Sequence, residues 1–203
     1  GAAGRGLKFG GRTGGFRVIV GTNGGGKSTL LRALGRVLPA RSGAVRLDGS
    51  ALSGFRPAEL ARRVAFLAQS PLTPGSITVG ELVARGRTPH QGLFRQWSRD
   101  DERIVSESLS SVGLRDASDR LVEELSGGQR QRVWIAVVLA QETPVLLLDE
   151  PTTYLDVAHQ IEILDVCSEL HRAGRTLVTV LHDLNMAARY ASHLICMADG
   201  EIV

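Results

Sequence analysis

The sequence predicts an α/β fold, a mostly parallel sheet covered on both faces, with a helical insertion between its two halves. Three observations carry this. Short apolar runs of strand length (Phe16–Val20, Val64–Ala68, Val145–Leu148, Leu177–Leu181 and Leu194–Met197) alternate with helical patterns. The runs are near-continuous in apolar character, as strands buried on both faces require. From Ser70 onward the strands stop and helix-start signals follow one another until the α/β texture returns near Pro144. One domain is expected, with residues 1–69 and 140–203 as the α/β core and 70–139 as a helical subdomain.

The elements follow in chain order. Gly1–Gly15 reads as a loop or a disturbed start, without apolar periodicity. The run Phe16–Val20 ends in Gly21-Thr22-Asn23-Gly24-Gly25-Gly26-Lys27-Ser28-Thr29, and a helix follows with Leu30, Leu31, Leu34 and Leu38 on one face, stopped by Pro39. Ala44–Leu47 with Asp48-Gly49 reads as part of a hairpin. Val64–Ala68 is a strand ending at Gln69. Pro71, Pro74 and Gly75 mark a loop, and Thr78 with Glu81 forms a capping box for a short helix. Gly86 to Gln96 reads as polar and irregular. Ser98 with Asp101 opens a second helix, turning Ile104, Val105, Leu109 and Val112 inward and stopping at Gly113. A third runs from Ser126 towards Gln141. After Val145–Leu148, Asp156 caps a helix carrying Val157, Ile161, Leu164 and Leu170, closed by Gly174. Leu177–Leu181 is a strand, His182–Ala191 a helical stretch, Leu194–Met197 a strand, and Asp199-Gly200 turns into Glu201–Val203.

Composition excludes several classes. With 203 residues, 43% apolar, the chain buries a sizeable core and is not a disordered polymer. Twenty-four Lys+Arg against 21 Asp+Glu, a net +3, is too balanced for a nucleic-acid footprint. No apolar run reaches membrane-span length, and the start carries no charged-then-apolar leader. Cys167 and Cys196 stand alone, which fits a reducing, cytosolic setting. Of the basic residues only Lys8 and Lys27 are lysine. Where a lysine sits among arginines, a compact ammonium rather than a flat fork suits the position.

Three constellations carry chemistry. Gly21-x-x-x-x-Gly26-Lys27-Ser28, between a strand and a helix, turns successive backbone N–H groups inward as a phosphate cradle. Lys27 would reach the β- and γ-phosphates and Ser28 would ligate Mg²⁺. Val145-Leu146-Leu147-Leu148-Asp149-Glu150 places two carboxylates at the carboxyl edge of the sheet, where α/β folds bind ligands. Asp149 suits a metal-holding role and Glu150 a base for the attacking water. Leu125-Ser126-Gly127-Gly128-Gln129 is a capping box whose two glycines weaken the helix they open, by about 1 kcal/mol each. Bare N–H groups at a helix N-terminus are what they provide in return, a second anion cradle. One site does not need two cradles, so a head-to-tail pair is expected, the second cradle of each copy closing on the γ-phosphate held by the other. Gln69 and His182 stand at strand ends on the same sheet edge. Gln69 could contact Mg²⁺ and the attacking water, and His182 the γ-phosphate.

Together these residues resemble the nucleotide-binding subunit of an ABC transporter, from Phe16 to Val203. Gly21–Thr29 resembles Walker A, Gln69 the Q-loop, Leu125–Gln129 the ABC signature, Val145–Glu150 Walker B, Thr153-Tyr154-Leu155-Asp156 the D-loop and His182 the switch histidine. The resemblance implies a P-loop NTPase (RecA-like) core, ATP and Mg²⁺ as ligands, and two subunits sandwiching two ATP molecules to drive transmembrane permease subunits. In that frame Glu150, His182 and Gln69 are catalytic. Gly21, Thr22, Asn23, Gly24, Gly25, Gly26, Lys27, Ser28 and Thr29 hold the nucleotide, with Ser126, Gly127, Gly128, Gln129 and Asp156 completing it. Ser28, Gln69 and Asp149 serve the metal. Thr78–His90, Leu139–Pro144 and Leu181–Asn185 are similar to ATPases that power ferric-siderophore import in bacteria, with haem and vitamin B12 importers as near relatives. This implies a peripheral subunit on the cytoplasmic face of the membrane, with a periplasmic or lipoprotein siderophore-binding protein as an indirect partner. The stretch Gln69–Trp97 would meet the permease, with Phe94 and Trp97 as contacts. Thr22 stands where the family often has Pro. Gly1–Gly15 does not resemble the family's opening strands and the family's C-terminal extension lies outside these residues, so a fragment or disturbed ends are expected, and no aromatic is assigned to the adenine. Rival readings are a soluble non-transport ABC ATPase, whose coiled-coil insertion or tandem cassette is missing here, and a catalytically incomplete fragment. A small-molecule P-loop kinase leaves Leu125–Gln129 unexplained.

Overall fold

The computed structural model describes residues 14–40, 42–72, 74–91 and 97–203. Of the expectations above, those for Phe94 and for the opening loop before Gly14 lie outside these residues. The central sheet has six strands: β1 (Phe16–Gly21), β4 (Val64–Leu67), β5 (Val145–Asp149), β6 (Thr176–Val180), β7 (His193–Ala198) and β8 (Glu201–Ile202). Their spatial order is β4-β5-β6-β1-β7-β8. All pairings are parallel except β7 with β8. The remaining two strands, β2 (Arg46–Leu47) and β3 (Ser50–Ala51), form a separate hairpin. Its turn residues Asp48 (φ 50°) and Gly49 (φ 81°) are both left-handed, the geometry whose twist matches two strands joined by two residues.

The α/β helices are α1 (Lys27–Leu34), α2 (Pro57–Ala61), α6 (Val157–Arg172) and α7 (Leu184–Tyr190). The insertion holds α3 (Val79–Ala84), α4 (Arg99–Ser111) and α5 (Gly127–Ala140). Each of these three opens with the reciprocal capping box expected, Thr78 with Glu81, Ser98 with Asp101 and Ser126 with Gln129. Alternation along the buried strands divides the core. Ile19, Leu147, Val178 and Val180 pack with Leu31 of α1 on one face. Phe16, Val18, Val20, Leu146, Leu148 and Leu177 face the larger cluster that includes Leu164 of α6 and the insertion's Leu82, Ile104, Leu109 and Val133.

Four expectations are corrected. The first helix stops at Leu34 rather than before Pro39: Gly35 caps it, Arg36 turns left-handed (φ 56°), and Leu38 is exposed. Residues Arg85–His90, read as irregular, form a 3₁₀ helix with Arg87 buried inside it. In α6 the buried residues are Ile163, Leu164 and Cys167, while Val157 faces solvent. The last helix begins two residues later than expected because Asp183 caps it, accepting from the N–H groups of Asn185 and Met186. His182 is thereby left in the loop that leaves β6.

Because the strands run parallel in the registers Leu67↔Leu148, Asp149↔Val180 and Ile19↔Val180, their carboxyl ends share one edge. That edge presents Gln69, Glu150, His182 and the glycine loop side by side.

Candidate active site

The loop after β1 is built by backbone constraints that only glycine meets. A Cβ on Gly21 (φ 142°) would lie 1.9 Å from the Met197 carbonyl oxygen of β7. Gly24 and Gly26 are also left-handed. Gly25 N–H donates to the Thr22 carbonyl at 3.1 Å, and the Gly25 carbonyl accepts from Gly200 N–H at 3.2 Å. The turn between β7 and β8 thus braces the loop from behind. Lys27, buried at the first turn of α1, donates from Nζ to the carbonyls of Gly21 (2.9 Å) and Thr22 (2.7 Å). Its ammonium is folded over the cradle.

Below the loop, Ser28 Oγ donates to Asp149 Oδ1 at 2.8 Å. Asp149 is fully buried, and its Oδ2 has no hydrogen-bond partner, with Arg32 Nε 3.9 Å away. Burial raises the Asp149 carboxyl above its ordinary range, the Ser28 bond and Arg32 acting the other way. An orphaned carboxylate oxygen beside a hydroxyl is an oxygen-only donor set that suits a hard divalent cation completing its shell with water and phosphate. Among the described residues no cluster of three or more His, Cys, Asp or Glu forms a self-sufficient metal site.

Glu150 follows β5 in a left-handed conformation (φ 53°), unusual for a non-glycine residue and costly enough to need support. Three side chains hold it. Gln69 Nε2 donates to Oε2 at 2.7 Å, Thr153 Oγ1 donates to the same oxygen at 3.2 Å, and His182 Nε2 lies 2.6 Å from Oε1. A carboxylate only accepts, so the imidazole proton at this contact sits on Nε2.

These groups meet in one cavity of about 420 Å³, lined by Asn23 to Thr29, Gln69, Glu150 and His182. A second cavity, of about 520 Å³, lies between α1, the β2–β3 hairpin and the sheet. It is lined mainly by aliphatic side chains, with none of the loop, acid or imidazole groups above.

Ser126, Gly127, Gly128, Gln129 and Asp156 do not line the cavity in the same chain. Ser126 and Gln129 are engaged with each other in the cap. The two glycines differ. A Cβ on Gly127 would meet nothing within 4 Å, whereas one on Gly128 would lie 3.3 Å from Leu155 Cδ2 and 3.4 Å from the Tyr154 carbonyl. Gly128 therefore has an intramolecular reason, and only Gly127 presents open backbone. Asp156 caps α6, accepting from His159 N–H at 2.9 Å, and that bond with the His159 side chain holds its carboxyl below the usual range.

Sequence reading missed two features. Thr153 supports Glu150, and the signal was a hydroxyl three residues past the acid. Arg87, buried, donates to Asp101 Oδ1 (2.9 Å), Glu142 Oε2 (2.9 Å) and the Ala140 carbonyl (2.7 Å), fastening the 3₁₀ segment to the start of α4 and the end of α5. Beside it His90 Nε2 lies 2.7 Å from the Gln141 carbonyl.

Comparison with known proteins gives the following. Residues 5–153 match the family model described as ABC transporter. The chain is 56% identical over 189 residues to the ferric enterobactin transport ATP-binding protein FepC of Escherichia coli (strain K12), covering 93% of this chain and 70% of that protein. It is 53% identical over 186 residues to the probable siderophore transport system ATP-binding protein YusV of Bacillus subtilis (strain 168), covering 91% of this chain and 68% of that one. Among solved structures, a dimeric post-hydrolysis ATP-binding cassette bound to ADP and Pi superposes with a TM-score of 0.83 at 30% identity, covering 94% of this chain and 84% of that one.

Proposed function

The chain belongs to the ABC transporter family as one of its ATPases, and from that premise we propose that it energises import of a ferric siderophore across the cytoplasmic membrane. The observation that carries the catalytic part is the convergence on Glu150. A carboxylate at the end of β5 is held by Gln69, Thr153 and His182 at the mouth of a cavity floored by the glycine loop.

In this reading ATP enters with its phosphates over Gly21 to Thr29, where inward N–H groups and the start of α1 supply positive potential. Lys27 leaves the carbonyls of Gly21 and Thr22 for the β- and γ-phosphates, one set of acceptors exchanged for another. Ser28 and Asp149, with Gln69, would hold Mg²⁺, and the ion when bound would neutralise developing charge on the phosphates. Gln69 and His182, now on Glu150, would be released by the bound nucleotide, Gln69 being placed to serve a metal ion and His182 the γ-phosphate. Glu150 then accepts the proton of the attacking water. Most of the catalysis is positioning and charge stabilisation, so a rigid cradle matters more than a strong base.

Ser126, Gly127 and Gln129 complete the site of a second copy in a head-to-tail pair, with Asp156 at the same junction. Residues 70–139 act as the helical subdomain that meets permease subunits, where Leu72 and Trp97 are exposed apolar groups. Among the described residues no helix is long and apolar enough to cross a membrane. A peripheral position on the cytoplasmic face fits this reading, as does indirect service to an extracytoplasmic siderophore-binding protein.

The test is uptake of ⁵⁵Fe-labelled ferric siderophore in cells lacking their own import ATPase, supplied with this chain and a ferric-siderophore permease. Uptake that Glu150→Gln abolishes supports the proposal. ATP hydrolysis without siderophore uptake, or uptake of haem alone, overturns the cargo assignment.

A further inference from the structure

Gln131 lies one turn into α5, is almost fully buried, and donates from Nε2 to the Pro151 carbonyl at 3.1 Å. Val133, Ile135 and Ala136 of the same helix are buried as well. A buried amide there is costly unless bonded, so the bond fixes what it touches. What it touches is the turn directly after Glu150. That turn has weak internal support, Thr153 N–H to the Glu150 carbonyl and Leu155 N–H to the Thr152 carbonyl, both at 3.3 Å. It also contains two non-glycine residues in left-handed conformation, Glu150 and Tyr154. Its placement is imposed from outside, and α5 imposes it twice: through Gln131 on Pro151, and through the close approach of Gly128 to Tyr154 and Leu155. The same first turns of α5 carry Ser126 and the open Gly127.

We propose that Gln131 is a positioning residue linking two reaction centres, so that a γ-phosphate seated on Ser126 and Gly127 of one copy sets the Glu150 carboxylate of that same copy for its own nucleotide. The proposal rests on the reading that Ser126 and Gly127 serve a second copy's site and that Glu150 is the base. A shift of α5 toward a bound phosphate is passed to Pro151 through the Gln131 hydrogen bond, beside a Gly128 set so near Tyr154 and Leu155 that an added Cβ would crowd them. Two ATP molecules thereby act on hydrolysis jointly, a coupling between sites rather than a change within one.

The experiment is steady-state ATP hydrolysis by the chain assembled with its permease, measured against ATP concentration. The wild type gives a sigmoidal curve. Gln131→Met, which keeps the volume and removes the donor, lowers kcat by about three- to tenfold, the worth of one hydrogen bond. It also brings the Hill coefficient toward one, while the affinity of the isolated chain for a fluorescent ATP analogue stays within about twofold. Gln131→Leu, which has no polar group at all, gives the same split and serves if the Met variant fails to fold. Wild-type kcat and cooperativity in either variant overturn the proposal, as does a hyperbolic wild-type curve. A fully active Glu150→Gln protein instead defeats the base assignment, an outcome distinct from an inactive Glu150→Gln beside an unaltered Gln131→Met.

Discussion

Ser28 and Asp149 are joined across the sheet edge by a 2.8 Å hydrogen bond that uses one carboxylate oxygen and leaves the other buried without a partner. The fold thus keeps a desolvated charge that Ser28 and the more distant Arg32 only partly offset, and stability and function should part at this residue.

Asp149→Asn keeps the acceptor for Ser28 and removes the buried charge. The expected outcome is a higher thermal midpoint without nucleotide, since burial disfavours the ionised carboxyl, together with loss of metal-dependent ATP hydrolysis. Thermal unfolding and phosphate release on the same preparation check it. A lower midpoint would show that the pairing with Arg32 outweighs the desolvation.

Ser126→Arg places a long cation at the exposed start of α5. Loss of the cap costs about 1 kcal/mol, too little to unfold the chain. Hydrolysis should cease while binding of a fluorescent ATP analogue persists, because the residue lies outside the cavity of its own chain. Unchanged turnover would refute the head-to-tail arrangement.

Asp101 is held at about 2, from an ordinary 3.8, first by the Ser98 hydroxyl and then by the Arg87 guanidinium. A depressed carboxyl contributes stability that is complete above its unfolded value and is lost as pH falls through the folded one. The urea midpoint should drop between about pH 4 and about pH 2, by an amount equivalent to about 2 kcal/mol, and Asp101→Asn should flatten that limb. At neutral pH, Arg87→Met should cost about 3–5 kcal/mol by leaving Asp101 buried and unpaired.

Gly21→Ala and Gly24→Ala separate two kinds of glycine. The first drives a Cβ to 1.9 Å from the Met197 carbonyl and should lower stability by about 3 kcal/mol or more. The second meets nothing within 4 Å and should cost about 1–2 kcal/mol, the penalty of a left-handed backbone alone. Denaturant titration of both proteins measures the difference.

Local chemistry was legible in the sequence where it acts over a few residues. The three capping boxes, the hairpin at Asp48-Gly49 and the apolar strands each depend on near neighbours, and each was found. The cavity was legible because strand ends in a parallel sheet share one edge, which brings Gln69, Glu150 and His182 to the glycine loop. Contacts between distant segments were not. Arg87 reads as one more arginine in a polar stretch until Asp101 and Glu142 are brought to it. Gln131 reads as helix surface until α5 is laid against the loop of Pro151. Leu38 fits the helical spacing, but Gly35 ends the helix before it, a stop signal outweighed in the sequence by the more conspicuous Pro39.

The position of β1 has a consequence for how the protein is made. Among the described strands it is made before the others, yet it lies between β6 and β7, among the last. At roughly 5–20 residues per second, its two flanks stay bare for on the order of ten seconds or more during synthesis. A nascent chain halted before Thr176 therefore holds β1 without either of its sheet partners, a strand edge open to pairing with another chain.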